Sequence, residues 1–294
     1  MKNLMTLLMA ASLLAACGNQ TSSTHPSEEG DEPNSAEKTI QEKNNQKQKE
    51  KETEDKTNRE DSKETDDNSK TNTQAETNER AKPEYVLNDV YSVVPIDDAE
   101  AKVVLLTIDD APDKYALEMA KTLKKLDAPA IFFVNGHFIT TPEKEKILKE
   151  IYDMGFEIGN HTYSHNDLTT LSPEKQKEEI LSVNDKVEEI TGERPKFFRA
   201  PFGKNTDVSR QIAKDEKMEL MNWSFGYDWN EEYMSKEKIA DIMVNTNLLA
   251  NGANLLMHDR EWTNAALEEI VKGLRGKGYE TVNPHLIQTP RNEE

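Results

Sequence analysis

The stretch VVLLTIDDAPDKYALEMAKTLKKLDAPAIFFVN, residues 103–135, contains a predicted strand, a helix and a second strand. Val103–Ile108 and Ala130–Asn135 are short apolar runs with the length of buried strands, and residues 117–126 repeat apolar residues at helical spacing. A helix that joins two such strands is the repeating unit of a parallel sheet. This stretch therefore predicts an α/β fold.

The same alternation continues along the rest of the chain. Ser172 is suited to cap a helix that begins at Pro173 and runs towards Gly192, and further amphipathic runs occupy residues 236–249 and 264–278. The remaining predicted strands are Phe156–Gly159, Lys196–Arg199, Glu219–Ser224, Asn254–Met257 and a last one near Tyr279–Val282. Such a sheet is either open or closed, and six or seven strand–helix units fit the length of a (β/α) barrel.

The first 17 residues, MKNLMTLLMAASLLAAC, have the pattern of a secretory signal. A lysine is followed by an apolar run too short to span a membrane, and then by small residues before Cys17, the only cysteine of the chain. LAAC, residues 14–17, resembles the lipobox of bacterial lipoproteins, in which the cysteine is lipidated and becomes the mature N-terminus. An incidental cysteine in an ordinary signal peptide is the alternative. A lone cysteine excludes an intrachain disulfide.

Residues 18–82 consist almost entirely of polar and charged residues. A segment with so little to bury cannot offset the entropy lost on ordering, so we expect a disordered polar tether. Residues 83–294 then form one domain of ordinary size. The net charge of −19 disfavours binding to nucleic acid.

Polar residues able to carry chemistry follow the ends of five predicted strands. They are Asp109 and Asp110, His161, Arg199, Asp228 with Trp229, and His258 with Asp259. The carboxyl ends of the strands form the active face of a parallel α/β barrel, so these residues should meet at one site. His137 ends another strand and could line the same mouth, whereas His285 is expected to be peripheral.

The sequence HTYSH, residues 161–165, places two histidines four positions apart. On a helical turn both imidazoles would lie on one face and could bind one metal ion, with Asp110 as a third ligand and positions left open for water and substrate. A zinc ion bound in this way lowers the pKa of water from about 16 to near 7. The alternatives are surface histidines for the pair and a turn or helix cap for Asp110.

Five motifs at these positions, LTIDDAP, HTYSH, RAPFG, YDW and LLMHD, resemble in order and spacing those of the polysaccharide deacetylases, carbohydrate esterase family 4 with the NodB homology domain. The resemblance extends from about Lys102 to Val282. It implies a distorted (β/α) barrel of six to eight strands that removes N- or O-acetyl groups from polysaccharides with a divalent metal ion. Zinc is the expected ion, with cobalt or another divalent ion as the alternative.

The resemblance also implies a role for individual residues of the site. The implied metal ligands are Asp110, His161 and His165. Asp109 would be the general base that activates the attacking water, and Arg199 would keep it oriented and ionised. His258 would be the acid that protonates the departing amine, with Asp228 raising its pKa.

Three further residues would bind the acetyl group. The backbone amide of Phe202 would help to stabilise the tetrahedral oxyanion, and Trp229 and Leu256 would form the wall of a pocket for the acetyl methyl. The chain departs from the family pattern at three points. Ala111 stands where glycine is usual, Phe202 stands where tyrosine is usual, and the segment before Asp228 lacks an aspartate that many members have. The implied ligands, base and acid are all retained, which argues against a degenerate pseudoenzyme.

Two other classes of function remain open. A non-catalytic carbohydrate-binding or wall-anchoring lipoprotein would need neither Asp109 nor His258, and a metal-capturing transport lipoprotein would have no use for Arg199. The deacetylase interpretation predicts a monomer outside the cytoplasm, anchored to the membrane through lipid at Cys17 and facing the cell wall. Its expected substrate is peptidoglycan N-acetylglucosamine, with N-acetylmuramic acid and other acetylated wall polymers as alternatives.

Overall fold

The structure, a computed structural model, describes residues 82–291. Within this range the chain forms ten strands and six α-helices. The strands are β1 (Tyr85–Leu87), β2 (Val93–Pro95), β3 (Val103–Ala111), β4 (Ala130–Val134), β5 (Glu157–Asn160), β6 (Phe197–Phe198), β7 (Glu219–Leu220), β8 (Phe225–Gly226), β9 (Ala253–His258) and β10 (Glu280–Thr281). The helices are α1 (Ala116–Lys125), α2 (Pro142–Asp153), α3 (Pro173–Thr191), α4 (Asp207–Asp215), α5 (Lys236–Asn245) and α6 (Glu261–Gly276).

Seven of the strands form a parallel sheet in the order β7-β6-β5-β4-β3-β9-β8, and β10 pairs with the first residues of β3. The two edge strands, β7 and β8, are joined directly by residues 221–224. A flat sheet would place its edges about 29 Å apart, at about 4.8 Å per strand, whereas this short link spans at most about 18 Å. The sheet is therefore curled, which confirms the predicted distorted (β/α) barrel of six to eight strands.

The curled sheet has an apolar core on both of its faces. Strand β3 is buried along its whole length, because helices cover one face and the barrel interior encloses the other. Its side chains alternate between the two cores. Leu105 belongs to the interior cluster with Phe133, whereas Leu106 and Ile108 belong to the cluster beneath the helices.

A hairpin and the last described residues close the amino ends of the strands. β1 and β2 pair antiparallel, and Tyr85 and Val93 join the interior cluster together with Val282 and Ile287. A backbone hydrogen bond of 2.8 Å from Val93 N to Gly252 O ties the hairpin to the residue before β9. The hairpin is absent from the sequence prediction, because strands of three residues carry too little pattern to be recognised. The apolar closure of this end leaves the carboxyl ends of the strands for a polar site.

Several elements differ from the sequence prediction. The predicted strand Glu219–Ser224 is wrong beyond Leu220, where β7 ends. Residues 221–224 cross from one edge of the sheet to the other, and β8 begins only after them. Helices α2 and α4 were not predicted, although Thr141 caps α2 and Thr206 forms a capping box at the start of α4. Helix α3 agrees with its prediction at both ends, from the Ser172 cap to Gly192.

The predictions for the N-terminal region concern residues that the structure does not describe. The signal peptide, the lipidation site at Cys17 and the tether up to residue 81 all lie outside the described residues, and they stay predictions. Between residues 82 and 291, no helix combines the length and the apolar character needed to cross a membrane.

Candidate active site

The two aspartates near the end of β3 both face the site, although they are consecutive. In a regular strand, successive side chains point to opposite faces. The pairing of β3 with β4 shifts after Ile108, and Asp110 has a positive φ of 60°. As a result, Asp109 Oδ2 lies 3.5 Å from His161 Nε2, and Asp110 Oδ1 lies 3.5 Å from His165 Nε2. One carboxylate oxygen of each aspartate therefore faces the histidine pair.

Asp109 is buried with Arg199 inside the carboxyl end of the barrel. Arg199 Nη1 donates hydrogen bonds to Asp109 Oδ1 at 2.6 Å and to Thr107 Oγ1 at 2.8 Å. The guanidinium carbon lies 4.3 Å from the centre of the Phe133 ring. Burial lowers the pKa of Arg199, and the neighbouring Asp109 opposes this effect. The ordinary pKa of an arginine lies so far above neutrality that Arg199 keeps its charge. The permanent positive charge of Arg199 therefore holds Asp109 Oδ1.

His161 and His165 converge through a loop, so the prediction of a helical turn is wrong. Thr162 and His165 have positive φ angles of 67° and 57°, which turn the chain between the two histidines. Asn160 Oδ1 accepts a hydrogen bond of 2.8 Å from Thr162 N, and this bond stabilises the loop in place of a helix. The two imidazole rings nevertheless meet, with their centres 4.9 Å apart.

The structure brings together the three predicted metal ligands. Asp110, His161 and His165 each present one ligand atom within 4.8 Å of the others. His161 Nδ1 donates a hydrogen bond of 2.7 Å to Arg199 O, which fixes the ring and leaves Nε2 with a free lone pair, as in metal-binding histidines generally.

The pKa shifts of Asp110 and His165 also favour the binding of a cation. Burial alone would raise the pKa of Asp110, but the neighbouring histidines and Arg260 outweigh it and hold the pKa below its ordinary value. Burial, followed by the charge of His161, lowers the pKa of His165 and favours the neutral imidazole that binds metals. One carboxylate and two imidazoles therefore fit a divalent metal ion.

His258 ends β9 and is paired with Asp109 in the β3–β9 register. Asp228, two residues after β8, accepts hydrogen bonds from His258 Nδ1 at 2.7 Å and from His258 N at 2.6 Å. Thr263 Oγ1 donates a third hydrogen bond to the same carboxylate at 2.7 Å. Burial lowers the pKa of His258, but the hydrogen bond and charge of Asp228 outweigh this, and the pKa is raised. A histidine that favours the protonated form, His258, and the side chain of Asp109 therefore lie on the adjacent strands β9 and β3.

Two exposed aromatic rings border these buried groups. A Cβ atom added to Gly226 would come within 2.7 Å of the Trp229 ring and 3.0 Å of Leu256 Cβ, so only a glycine here lets both residues pack this closely against the backbone. Leu256 is buried, whereas 45% of Trp229 is exposed. Phe202 is 60% exposed, has a positive φ of 58°, and lies with its ring centre 4.9 Å from that of His165.

The site also includes residues that the sequence prediction did not assign. Asn254 is buried in β9, where its Oδ1 accepts from Arg199 Nη2 at 3.4 Å and its Nδ2 donates to Asn222 O at 2.9 Å. Asn254 could have been identified from the sequence, because it is a polar residue at the start of an apolar strand. Arg260 Nη2 donates to Asp110 Oδ2 at 2.7 Å, and only its position directly after LLMHD indicates a role.

The two remaining described histidines lie outside the ligand group. His137 is exposed, and its Nδ1 lies 2.7 Å from Tyr163 O, so it does not join the metal ligands. His285 lies at the amino end of β5, with its Nδ1 2.9 Å from Glu157 Oε2. That end of the barrel is opposite the site, and His285 is therefore peripheral, as the sequence predicts.

Comparison with known proteins bears directly on this arrangement. Residues 97–221 match the family model described as polysaccharide deacetylase. A peptidoglycan-N-acetylglucosamine deacetylase from Bacillus cereus is 30% identical, over 62% of this chain and 68% of that protein. This chain belongs to the polysaccharide deacetylase family. As a member of this family, the protein is a metal-dependent hydrolase that removes acetyl groups.

Solved structures of polysaccharide deacetylases agree with the fold. The structure of the peptidoglycan deacetylase PdaC from Bacillus subtilis has a TM-score of 0.56 and 30% identity, and the match covers 67% of this chain and 92% of that one. PdaC as a whole, named a peptidoglycan-N-acetylmuramic acid deacetylase, is longer, and the match spans only 41% of it. BA3943 from Bacillus anthracis, described as a family 4 pseudoenzyme, has a TM-score of 0.56 and 29% identity over 62% of this chain and 63% of that one.

Proposed function

We propose that this deacetylase removes acetyl groups from N-acetylated cell-wall polysaccharide by metal-dependent hydrolysis. One observation carries the proposal. The Asp-His-His group converges with two hydrogen-bonded pairs, Asp109 with Arg199 and His258 with Asp228, at one end of the barrel. A carbohydrate-binding protein or a metal carrier needs no such acid and base, so the convergence favours catalysis over both alternatives.

Asp110, His161 and His165 would hold the ion, for which zinc is the proposed identity and cobalt or another divalent ion the alternative. When bound, such an ion supplies a Lewis acid that polarises the acetyl carbonyl and makes nearby water more acidic. Two histidines and one carboxylate are a ligand set that zinc uses in catalytic sites, because three protein ligands leave coordination positions open.

Proton transfer would be divided between the two adjacent strands. Asp109 would take a proton from the water that adds to the acetyl carbon, since Arg199 holds its Oδ1 and orients the carboxylate. The bond between the acetyl carbon and the sugar nitrogen then breaks, and His258 would give its proton to the departing nitrogen. Asp228 keeps His258 protonated for this step by raising its pKa. The products are acetate and a free amine.

The acetyl group would be held by the residues that border the site. The backbone amide of Phe202 would donate a hydrogen bond to the oxyanion, and Trp229 and Leu256 would enclose the methyl group. The packing of both Trp229 and Leu256 against Gly226 supports a small apolar pocket of this kind.

Peptidoglycan N-acetylglucosamine is the proposed substrate, which the name of the Bacillus cereus relative supports. N-acetylmuramic acid is the alternative, supported by the name of PdaC. Residues 83–294 would form the deacetylase domain. Residues 1–17 would be a lipoprotein signal and residues 18–82 a tether, so that a monomeric enzyme acts outside the cytoplasm while lipid at Cys17 anchors it to the membrane.

Release of acetate by the purified protein tests this proposal. Protein stripped of metal by a chelator and then given zinc should release acetate from N-acetylglucosamine oligosaccharides, whereas the stripped protein should not. Parallel assays on intact peptidoglycan and on glycans containing N-acetylmuramic acid identify the sugar. Binding of these glycans without release of acetate, in protein that contains zinc, would instead support the non-catalytic alternative.

A further inference from the structure

The last two residues of the motif LLMHD, together with Arg260 directly after it, make three different contacts. His258 is bound by Asp228, as described above. The Asp259 carboxylate, which is buried, accepts hydrogen bonds from the backbone amides of residues 114 and 115 at the start of α1. Arg260 contacts Asp110. Residues 259 and 260 thereby hold both the end of β3, at the proposed metal ligand Asp110, and the loop that follows it, at the amides of residues 114 and 115.

The backbone of Arg260 is well fixed. It is the residue before α6, and its carbonyl accepts a hydrogen bond of 2.9 Å from Asn264 N. From this position Nη2 donates to Asp110 Oδ2 at 2.7 Å, and Nη1 lies 4.0 Å from an Asp113 carboxylate oxygen. The side chain of Arg260 is 38% exposed, so it lies at the rim of the site rather than inside the barrel.

The surroundings of Asp110 repeat those of Asp109. Arg199 holds Oδ1 of Asp109, and the other oxygen lies 3.5 Å from a histidine Nε2. Arg260 holds Oδ2 of Asp110, and the other oxygen also lies 3.5 Å from a histidine Nε2. Each of the two consecutive aspartates therefore has its own arginine and presents its second oxygen to the histidine pair.

We propose that Arg260 is a positioning residue for the metal centre, which holds Asp110 so that Oδ1 faces the ligand histidines. This inference rests on the proposed metal site. Hydrogen-bond partners of metal ligands fix the orientation of those ligands, and their loss typically weakens metal binding about 10- to 100-fold. Without Arg260, the Asp110 carboxylate is free to rotate and to place either oxygen towards water.

The positive charge of Arg260 by itself weakens the binding of a cation, because like charges repel. That repulsion acts through a guanidinium in contact with solvent, where water and salt screen it strongly. The hydrogen bond acts at contact and is not screened in the same way. Orientation should therefore outweigh repulsion, and removal of Arg260 should weaken binding of the metal.

The zinc dissociation constant of the full-length protein tests this inference, measured by competition with a chromophoric chelator at two salt concentrations. Arg260→Met, which removes both the charge and the donor but keeps the length of the side chain, should weaken binding about 10- to 100-fold. Arg260→Lys keeps a donor and should recover part of the loss. Arg210→Met in α4, at an exposed arginine outside the site, is the matched control and should bind zinc like the wild type.

Zinc binding by Arg260→Met that equals or exceeds wild-type binding at both salt concentrations would overturn the inference. His165→Ala distinguishes this failure from failure of the proposed function. If His165→Ala binds zinc as tightly as the wild type, the metal site itself is wrongly placed. If His165→Ala loses zinc and Arg260→Met does not, the metal site stands and only the role of Arg260 is wrong.

Discussion

Asp109 and Asp110 are adjacent in the sequence but have different neighbours. Asp109 is almost fully buried and bound by Arg199, whereas Asp110 lies nearer the surface beside Arg260. The sequence predicts both aspartates and the histidines, because strand ends in a parallel barrel meet at one face. It cannot predict that consecutive side chains face the same histidine pair, because this depends on the positive φ of Asp110. Single substitutions can therefore separate a base from a ligand.

Asp109→Asn keeps the size of the side chain but removes the base. Its kcat for acetate release should fall by about a hundredfold or more, the usual scale for loss of a general base, while zinc binding is retained. Asp110→Asn should bind zinc more weakly and should recover part of its rate when zinc is raised. Both effects are measured by acetate release over a range of zinc concentrations.

The reverse pattern would exchange the two roles. Rescue of Asp109→Asn by excess zinc, without rescue of Asp110→Asn, would identify Asp109 as the ligand. Wild-type rates in both variants would remove both aspartates from the mechanism.

Elements of the fold were predictable where local signals define them. Helix α3 has both a serine cap and a terminal glycine, and its ends agree with the prediction. Strands β7 and β8 have two residues each, and the crossing between them depends on closure of the barrel rather than on local pattern. The C-terminal segment is likewise held by tertiary contacts, among them the ion pair of His285 with Glu157 at the amino end of β5.

The His285–Glu157 pair should make stability depend on pH. The hydrogen bond with Glu157 raises the pKa of His285, and partial burial and Lys196 oppose it. A histidine with a raised folded-state pKa stabilises the protein fully below its unfolded value of about 6.5, and this contribution is lost as pH rises through the raised pKa. His285→Gln should therefore lower the free energy of unfolding at about pH 5.5, by no more than about 1 kcal/mol because His285 itself is exposed to solvent, and have less effect at about pH 9.

Urea unfolding of wild type and His285→Gln at both pH values measures this difference. A destabilisation that is the same at both pH values, or larger at the alkaline one, would show that the charge on His285 does not stabilise the fold.

The whole barrel is divided into an apolar end and a polar end. Tyr85, Val93 and Ile287 close the amino end, whereas Arg199 and Asp109 lie inside the carboxyl end. The sequence predicts the polar end, because residues able to carry chemistry follow the ends of five predicted strands. The contact of Arg260 with Asp110 joins residues 150 positions apart, and it follows from the pairing of β9 with β3, which no local pattern predicts.

The amount of zinc bound per chain is the most direct test of this metal centre. After zinc loading and dialysis, elemental analysis of the wild type should give about one zinc per chain, as expected for one three-ligand catalytic site. The double variant His161→Ala/His165→Ala should lose this zinc. The matched control His137→Gln/His285→Gln, which removes two histidines outside the ligand group, should retain it. Equal zinc in the His161→Ala/His165→Ala variant and the wild type would contradict the proposed site.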